Sequence, residues 1–369
     1  MNGMNLPIKN PKPDIKLFVD TITGKIIPSR PPFAELFLDY EIVAAIGKDY
    51  LNLDWVHPAE DKDSLKAYWN NTIEVYYRLG YDYIRISGGL DFPGKTRLAD
   101  DTAGLSRGKR GWSEESAGVI SSWEDFEKYP WPSPNKIDIW QYDYAAQKVT
   151  EGMGVFVCPA SGFLEIPKEN LFGYENLSYL LYDEPELVKA TIDRVGEIIY
   201  GFYEKLLGLP NLVGFFQGDD MGYKSSTLIS PEDLRKYILP WHKKLAKLAH
   251  DHGLIYMLHC CGNVESIMDD LIYDVKIDAK HSFEDSAMPV IESKKKYGDK
   301  IALLGGVDVD KLCRLPEDEL RKYVRNILEE CMPGGRYALG SGNTVANYVP
   351  VKNYLIMLEE GINFSMNSI

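Results

Sequence analysis

The chain has 369 residues, 45% of them hydrophobic, and its 41 basic and 55 acidic side chains give a net charge of −14. That length and apolar share allow a substantial buried core, and the dispersed acidic excess excludes the concentrated basic surface that nucleic acid requires. Five cysteines, at 158, 260, 261, 313 and 331, fit no disulfide spacing. The expectation is a cytoplasmic protein with free thiols, no secretory leader and no membrane span.

In chain order, residues 1–60 are rich in proline and read as an arm or cap leading into the main domain. The stretch "DSLKAYWNNTIEVYYRLG" has apolar residues at three- and four-residue spacing and stops at Gly80, so a helix is predicted, followed by a β-type run, "YDYIRIS". Residues 91–134 are too long for an ordinary connection and are predicted to lie over the mouth as a lid or docking surface. Six more β-type runs follow: "GVFVCPA", "LVGFFQGDD", "IYMLHCCGN", "IDAKHSF", "IALLGGVD" and "RYALGSGN". Helices fall between several of them. "SPEDLRKYILPWHKKLAKLAHDHG" has Ser230 as N-cap, Pro231 in the first turn and Gly253 at its end, with a kink expected at Pro240. "LPEDELRKYVRNILEECMPGG" starts after Pro316 and closes on a breaker.

Strand, helix, strand at this spacing requires parallel pairing, in a barrel or an open doubly wound sheet. Polar and small residues gather at the C-terminal edge of nearly every run, which favours a barrel whose mouth draws on many strand ends. No GxGxxG or GxxxxGK[ST] element is present to favour a nucleotide fold. The predicted fold is therefore α/β, a (β/α)8 TIM-type barrel forming a single domain over residues 1–369, with the arm at 1–60 and the long mouth loop at 91–134.

In a strand, His259 and Cys261 project to one side and Cys260 to the other, which makes a two-ligand clamp of imidazole and thiol suited to zinc. A buried cysteine pair beside a satisfied core histidine accounts for the same letters. Asp219 and Asp220 follow the uncharged run "LVGFFQG", so at least one carboxylate should reach the mouth as acid, base or metal ligand, with helix capping as the bland reading. Glu284 stands in a similar position, as does Asp308. Arg85 lies inside "YIRIS" and needs a partner wherever it faces. Gln217, Ser341 and Asn343 at strand ends complete a candidate substrate-binding set, and "RGKRGW" from Arg107 is a weaker candidate for anions.

Taken together, "FFQGDDMG", "ISPEDLRKYILPWHKKLAKLAHDHG", "LHCCGNVESIMDDLI", "HSFED" and "GDKIALLGGVD" resemble the uroporphyrinogen decarboxylase superfamily from about residue 81 to the end. The resemblance implies a (β/α)8 barrel. An Arg-Gln-Ala-Gly-Arg stretch, which holds the porphyrinogen carboxylates in true decarboxylases, is missing, so the chain looks nearer to the cobamide-dependent methyltransferases of the methylcobalamin:coenzyme M type. In that branch zinc is held by a His-x-Cys pair and a late cysteine. His259 and Cys261 match the pair, but Asn343 in "LGSGNTVANYVP" stands near the late cysteine's place. Asp219, Asp220, Glu284 and Cys158 are the candidate replacements. The implied activity is methyl transfer between a corrinoid and a small-molecule donor or acceptor. The corrinoid would ride on a partner protein, since no Asp-x-His-x-x-Gly pattern occurs here. Decarboxylation of a polycarboxylate tetrapyrrole and non-catalytic macrocycle binding are the alternatives. Monomer and homodimer both stay open.

Overall fold

Nine strands form among the described residues: β1 (Tyr83–Ser87), β2 (Thr96–Asp100), β3 (Lys109–Ser113), β4 (Gly154–Cys158), β5 (Leu212–Gly218), β6 (Ile255–His259), β7 (Ala279–His281), β8 (Ala302–Leu304) and β9 (Tyr337–Ala338). The structure is a computed structural model that describes residues 6–365 apart from 60 and 115. Seven strands, in the order β1-β4-β5-β6-β7-β8-β9, make one parallel sheet. They are the seven runs read from the sequence. The sheet is curled, because alternate residues from all seven strands meet in a single inner cluster: Tyr83, Phe156, Phe216, Ile255, Met257, Ala279, Ala302, Leu304 and Ala338. Residues of opposite parity face outward and pack under the helices.

The proline-rich arm does more than cap this sheet. Asp14 accepts the Leu17 N–H and starts a helix, Ile15–Ile22, whose Phe18 and Ile22 plug the inner cluster. Phe18 and Tyr83 meet edge-on with ring centroids 5.1 Å apart, as do Tyr83 and Phe156 at 4.9 Å. Residues 32–38 then run parallel beside β9 through isolated bridges, Phe33 to Leu339 and Leu38 to Val345. On the other side the Tyr83 hydroxyl donates to the Glu35 carbonyl at 2.9 Å and accepts the Glu35 N–H at 3.0 Å. This segment joins the outer strands by bridges and a side chain, without a regular ladder.

Helix boundaries follow the sequence signals. Asp61 caps Lys62–Leu79, and Gly80 ends it in the left-handed conformation at φ 89°. Ser230 caps the helix that opens at Pro231–Asp233. Before Pro240, which has no N–H to offer the preceding turn, the backbone loosens into a π turn at Leu234–Ile238 and then continues as Leu239–Asp251. Among the described residues no helix is long and apolar enough to cross a membrane.

The long segment 91–134 is a hairpin of β2 and β3 followed by a short helix, Trp123–Lys128. The hairpin is exposed on both faces. Its base is tied down: Asn347 Nδ2 donates to Asp101 and to the Leu105 carbonyl, and Arg107 pairs with Asp39 and Glu41 at 2.6 and 2.9 Å. Arg107, a sequence candidate for anion binding, is therefore already engaged by carboxylates.

Candidate functional site

Beyond the inner apolar cluster, the strands end in loops that must approach closely. Gly222, after β5, and Gly262, after β6, allow it: a Cβ on Gly222 would stand 2.6 Å from the Cys261 carbonyl oxygen, and one on Gly262 would stand 2.4 Å from the Gly222 carbonyl carbon. Gly262 also sits at φ 75°. The two loops pair, with the Asn263 N–H donating to the Tyr223 carbonyl at 2.6 Å. That contact sets Asp220 against Cys261, whose N–H donates to Asp220 Oδ1 at 2.8 Å.

His259 ends β6 beside both. Its Nε2 lies 3.3 Å from Cys261 Sγ and 3.5 Å from Asp220 Oδ1, and one ligand atom from each of Asp220, His259 and Cys261 falls within 4.8 Å of the others. A tetrahedral ion at zinc's usual bond lengths holds its N and S ligands about 3.6 Å apart, so the spacing and the N, S, O donor set fit zinc. Three protein ligands would leave one position open.

The tautomer of His259 follows from its neighbours. Burial, then the charges of Lys280 and Arg85, lowers its pKa to about 3, and burial pushes His281 well below the usual range, so both rings are neutral. His281 Nε2 faces the Ser341 carbonyl oxygen at 3.1 Å and must donate there. Its Nδ1 is then an acceptor, and His259 Nδ1, 2.7 Å away, must be the donor. His259 Nε2 is left with a bare lone pair directed at Cys261 and Asp220. This is the arrangement of a metal-ligating histidine held by a second imidazole.

Asn343 takes a different part. Its Oδ1 accepts the Thr344 N–H at 2.8 Å, which turns Nδ2 toward Cys261 Sγ at 3.1 Å. It presents a donor to sulfur and no lone pair to a metal. The Ser282 hydroxyl adds a longer contact to the same sulfur at 3.7 Å. Burial and the Asp220 charge push the Cys261 thiol up, and a bound cation reverses that preference. Lys280, fully buried, donates to the Cys260 and Ser282 carbonyls and holds the ends of β6 and β7 together.

The other sequence candidates separate clearly. Asp219 points away: fully buried, it accepts from the Leu164 and Glu165 N–H groups and lies 2.8 Å from His242 Nε2. Cys260 is in the wall, where its sulfur accepts the Met221 N–H and burial pushes the thiol up to about 12. Gln217 faces the helices, bonded to the Tyr203 hydroxyl and the Ala160 carbonyl, so it is not brought to the mouth. Cys158 donates to the Ala160 carbonyl, and Asp308 caps Val309–Arg314. Ser341 is at the site's edge, where its hydroxyl and N–H meet Glu35. Glu284 is half-buried and makes no side-chain hydrogen bond among the described residues. Arg85 faces the inner surface beyond Tyr83. One participant, His281, lay outside the sequence candidates. A cleft of about 370 Å³ lies elsewhere, under the arm, lined by Lys12, Asp14, Arg30 and Asp82.

The chain is similar to known proteins in sequence and in fold. A family model described as uroporphyrinogen decarboxylase (URO-D) matches residues 156–362. A methylated-thiol–coenzyme M methyltransferase of Methanosarcina mazei is 27% identical over 184 residues, covering 50% of this chain and 47% of the relative. The chain thus spans about half the length of that curated relative. A solved methyltransferase structure from Methanosarcina mazei superposes with a TM-score of 0.69 over 96% of this chain and 99% of that one, at 16% identity.

Proposed function

The chain belongs to the uroporphyrinogen decarboxylase (URO-D) family, and from that premise we propose that it is a corrinoid-dependent methyltransferase with a zinc site at Asp220, His259 and Cys261. The observation that carries this reading is the convergence of an imidazole nitrogen, a thiol sulfur and a carboxylate oxygen with the imidazole tautomer already set for ligation. Asp220 supplies the anionic ligand that a late cysteine would otherwise provide, so the ligand charge is kept while Asn343 becomes a donor to the remaining sulfur. Zinc bound there would supply a Lewis acid that lowers the pKa of a substrate thiol or hydroxyl. The chain's own residues hold the rest: His281 fixes His259, and Asn343 and Ser282 stabilise Cys261 as thiolate.

On this reading residues 32–38 act as the eighth position of a barrel, and residues 1–369 work as one domain in the cytoplasm. The methyl group would pass to or from a corrinoid on a partner protein, with the exposed hairpin of β2 and β3 contributing to the docking face. The relatives' names support methyl transfer. Decarboxylation of a polycarboxylate tetrapyrrole needs several cations at the mouth, and Arg107 is already engaged by Asp39 and Glu41.

The test is demethylation of free methylcobalamin with coenzyme M as thiol probe, followed by the corrinoid spectrum. Zinc-loaded protein should turn over and Cys261→Ser and His259→Ala should not. Equal turnover by the variants, or none by the wild type alongside release of carbon dioxide from uroporphyrinogen, would contradict the reading.

A further inference from the structure

Two residues beyond Tyr83 on the same strand, Arg85 also faces the inner surface, in a layer where a cation requires compensation. Its Nε donates to the Phe216 carbonyl at 3.0 Å, its Nη1 donates to Ser87 Oγ at 2.7 Å, and its guanidinium lies 5.7 Å from the centre of the Phe216 ring. These contacts fix the orientation of the group, but none carries negative charge. Among the described residues no carboxylate is within ion-pair distance of Arg85, and its Nη2 has no acceptor. Glu35, a buried carboxyl of the same inner wall, is taken by Ser341.

The group is also close to the reacting end. Phe216, on whose ring Arg85 rests, has its own ring 6.0 Å from that of His281, which in turn contacts His259. One phenyl ring therefore separates the guanidinium from the imidazole pair. A half-buried, oriented and uncompensated guanidinium on the inner surface at the C-terminal end of its strand is a binding group for an oxyanion.

We propose that Arg85 is the head-group site for an anionic substrate: a small molecule whose carboxylate or sulfonate lies on the guanidinium while its methyl-donating or methyl-accepting end reaches Asp220, His259 and Cys261. This rests on the reading of that cluster as the reacting end.

The experiment is calorimetric titration of the full chain, with metal content measured on the same samples. The probes are 3-(methylthio)propanoate, its sulfonate counterpart 3-(methylthio)propane-1-sulfonate, and neutral 3-(methylthio)propanamide. At least one anion should bind about tenfold or more tightly than the amide, since a charge-assisted hydrogen bond of this kind is worth that factor or more. The tighter of the two anions identifies the head group. Arg85→Met should abolish the preference, and Arg85→Lys, which keeps charge but loses the fork, should retain part of it. If Arg85→Met does not fold, the wild-type head-group comparison and Arg85→Lys decide alone. Equal binding of amide and anions by the wild type, or an undiminished preference in folded Arg85→Met, overturns the proposal. An Arg85-dependent preference in protein that binds no metal upholds this inference while contradicting the zinc reading. Bound zinc with no head-group preference does the reverse.

Discussion

At Tyr83, Met257 and Ala279 the inner surface of the sheet is apolar and closed by Phe18 and Ile22 from the arm; two residues further along the same strands it carries Arg85, His259 and His281. The first layer needs only shape, because apolar side chains are satisfied by contact. The second needs partners, because every buried polar atom left unpaired has a cost. Those partners come from neighbouring strands and from the loops beyond them, and they use up most of the polar atoms while leaving His259 Nε2, Cys261 Sγ and Asp220 facing one another. On the proposed reading, stability is concentrated in one layer and chemistry in the next.

The strongest way to break this comparison is Phe18→Ala. It should cost about 3–5 kcal/mol in urea unfolding, as loss of a fully buried aromatic does, while the folded fraction keeps its metal affinity. A cost below about 1 kcal/mol, within the range of an unremarkable surface change, together with lost metal binding would show the layers to be one unit.

Next in size is a pH effect at the boundary. Ser341 Oγ lies 2.5 Å from Glu35 Oε2 and 2.7 Å from the Asn343 carbonyl oxygen, and its single proton cannot serve both. A protonated Glu35 resolves this by donating to Ser341. Burial accordingly raises its pKa from 4.5 to about 8. Between those values the folded state holds a proton that the unfolded chain has released, so stability falls as pH rises through the window. The loss should reach on the order of 4 kcal/mol by pH 8, and Glu35→Gln should remove that slope. Parallel Tm-against-pH curves for the two proteins would refute the assignment.

The smallest effect sharpens the chemical layer. Asn343→Ala removes the donor to Cys261 Sγ and should weaken zinc affinity about tenfold, as loss of a supporting hydrogen bond typically does, with Tm nearly unchanged in the metal-free protein. Competition against a chromophoric chelator measures it. Loss of all metal would instead make Asn343 a ligand.

Much of this was legible in the letters. Seven apolar runs bounded by small and polar residues became seven strands, and the two-residue spacing of His259 and Cys261 put both on one side with Cys260 in the wall. The same alternation, applied to Phe216, would have turned Gln217 outward. Other features depend on register and loop contact, which are tertiary. His281 meets His259 only because β6 and β7 pair them directly. Asp219 and Asp220 are adjacent and chemically alike; the Gly222–Gly262 contact assigns one to the mouth, and the N–H groups of Leu164 and Glu165 hold the other in the wall. The arm read as a cap because its contribution to the inner wall, Phe18 and residues 32–38, is made of short pieces without strand periodicity.

The most direct test of the central claim is metal content by mass spectrometry on protein purified without chelators, beside Cys261→Ser, Asp220→Asn and Asp219→Asn. The account predicts about one zinc per chain in the wild type and in folded Asp219→Asn, and loss of most of it in the other two. Zinc-exposed wild type without metal, or full occupancy in Asp220→Asn and Cys261→Ser, would contradict it.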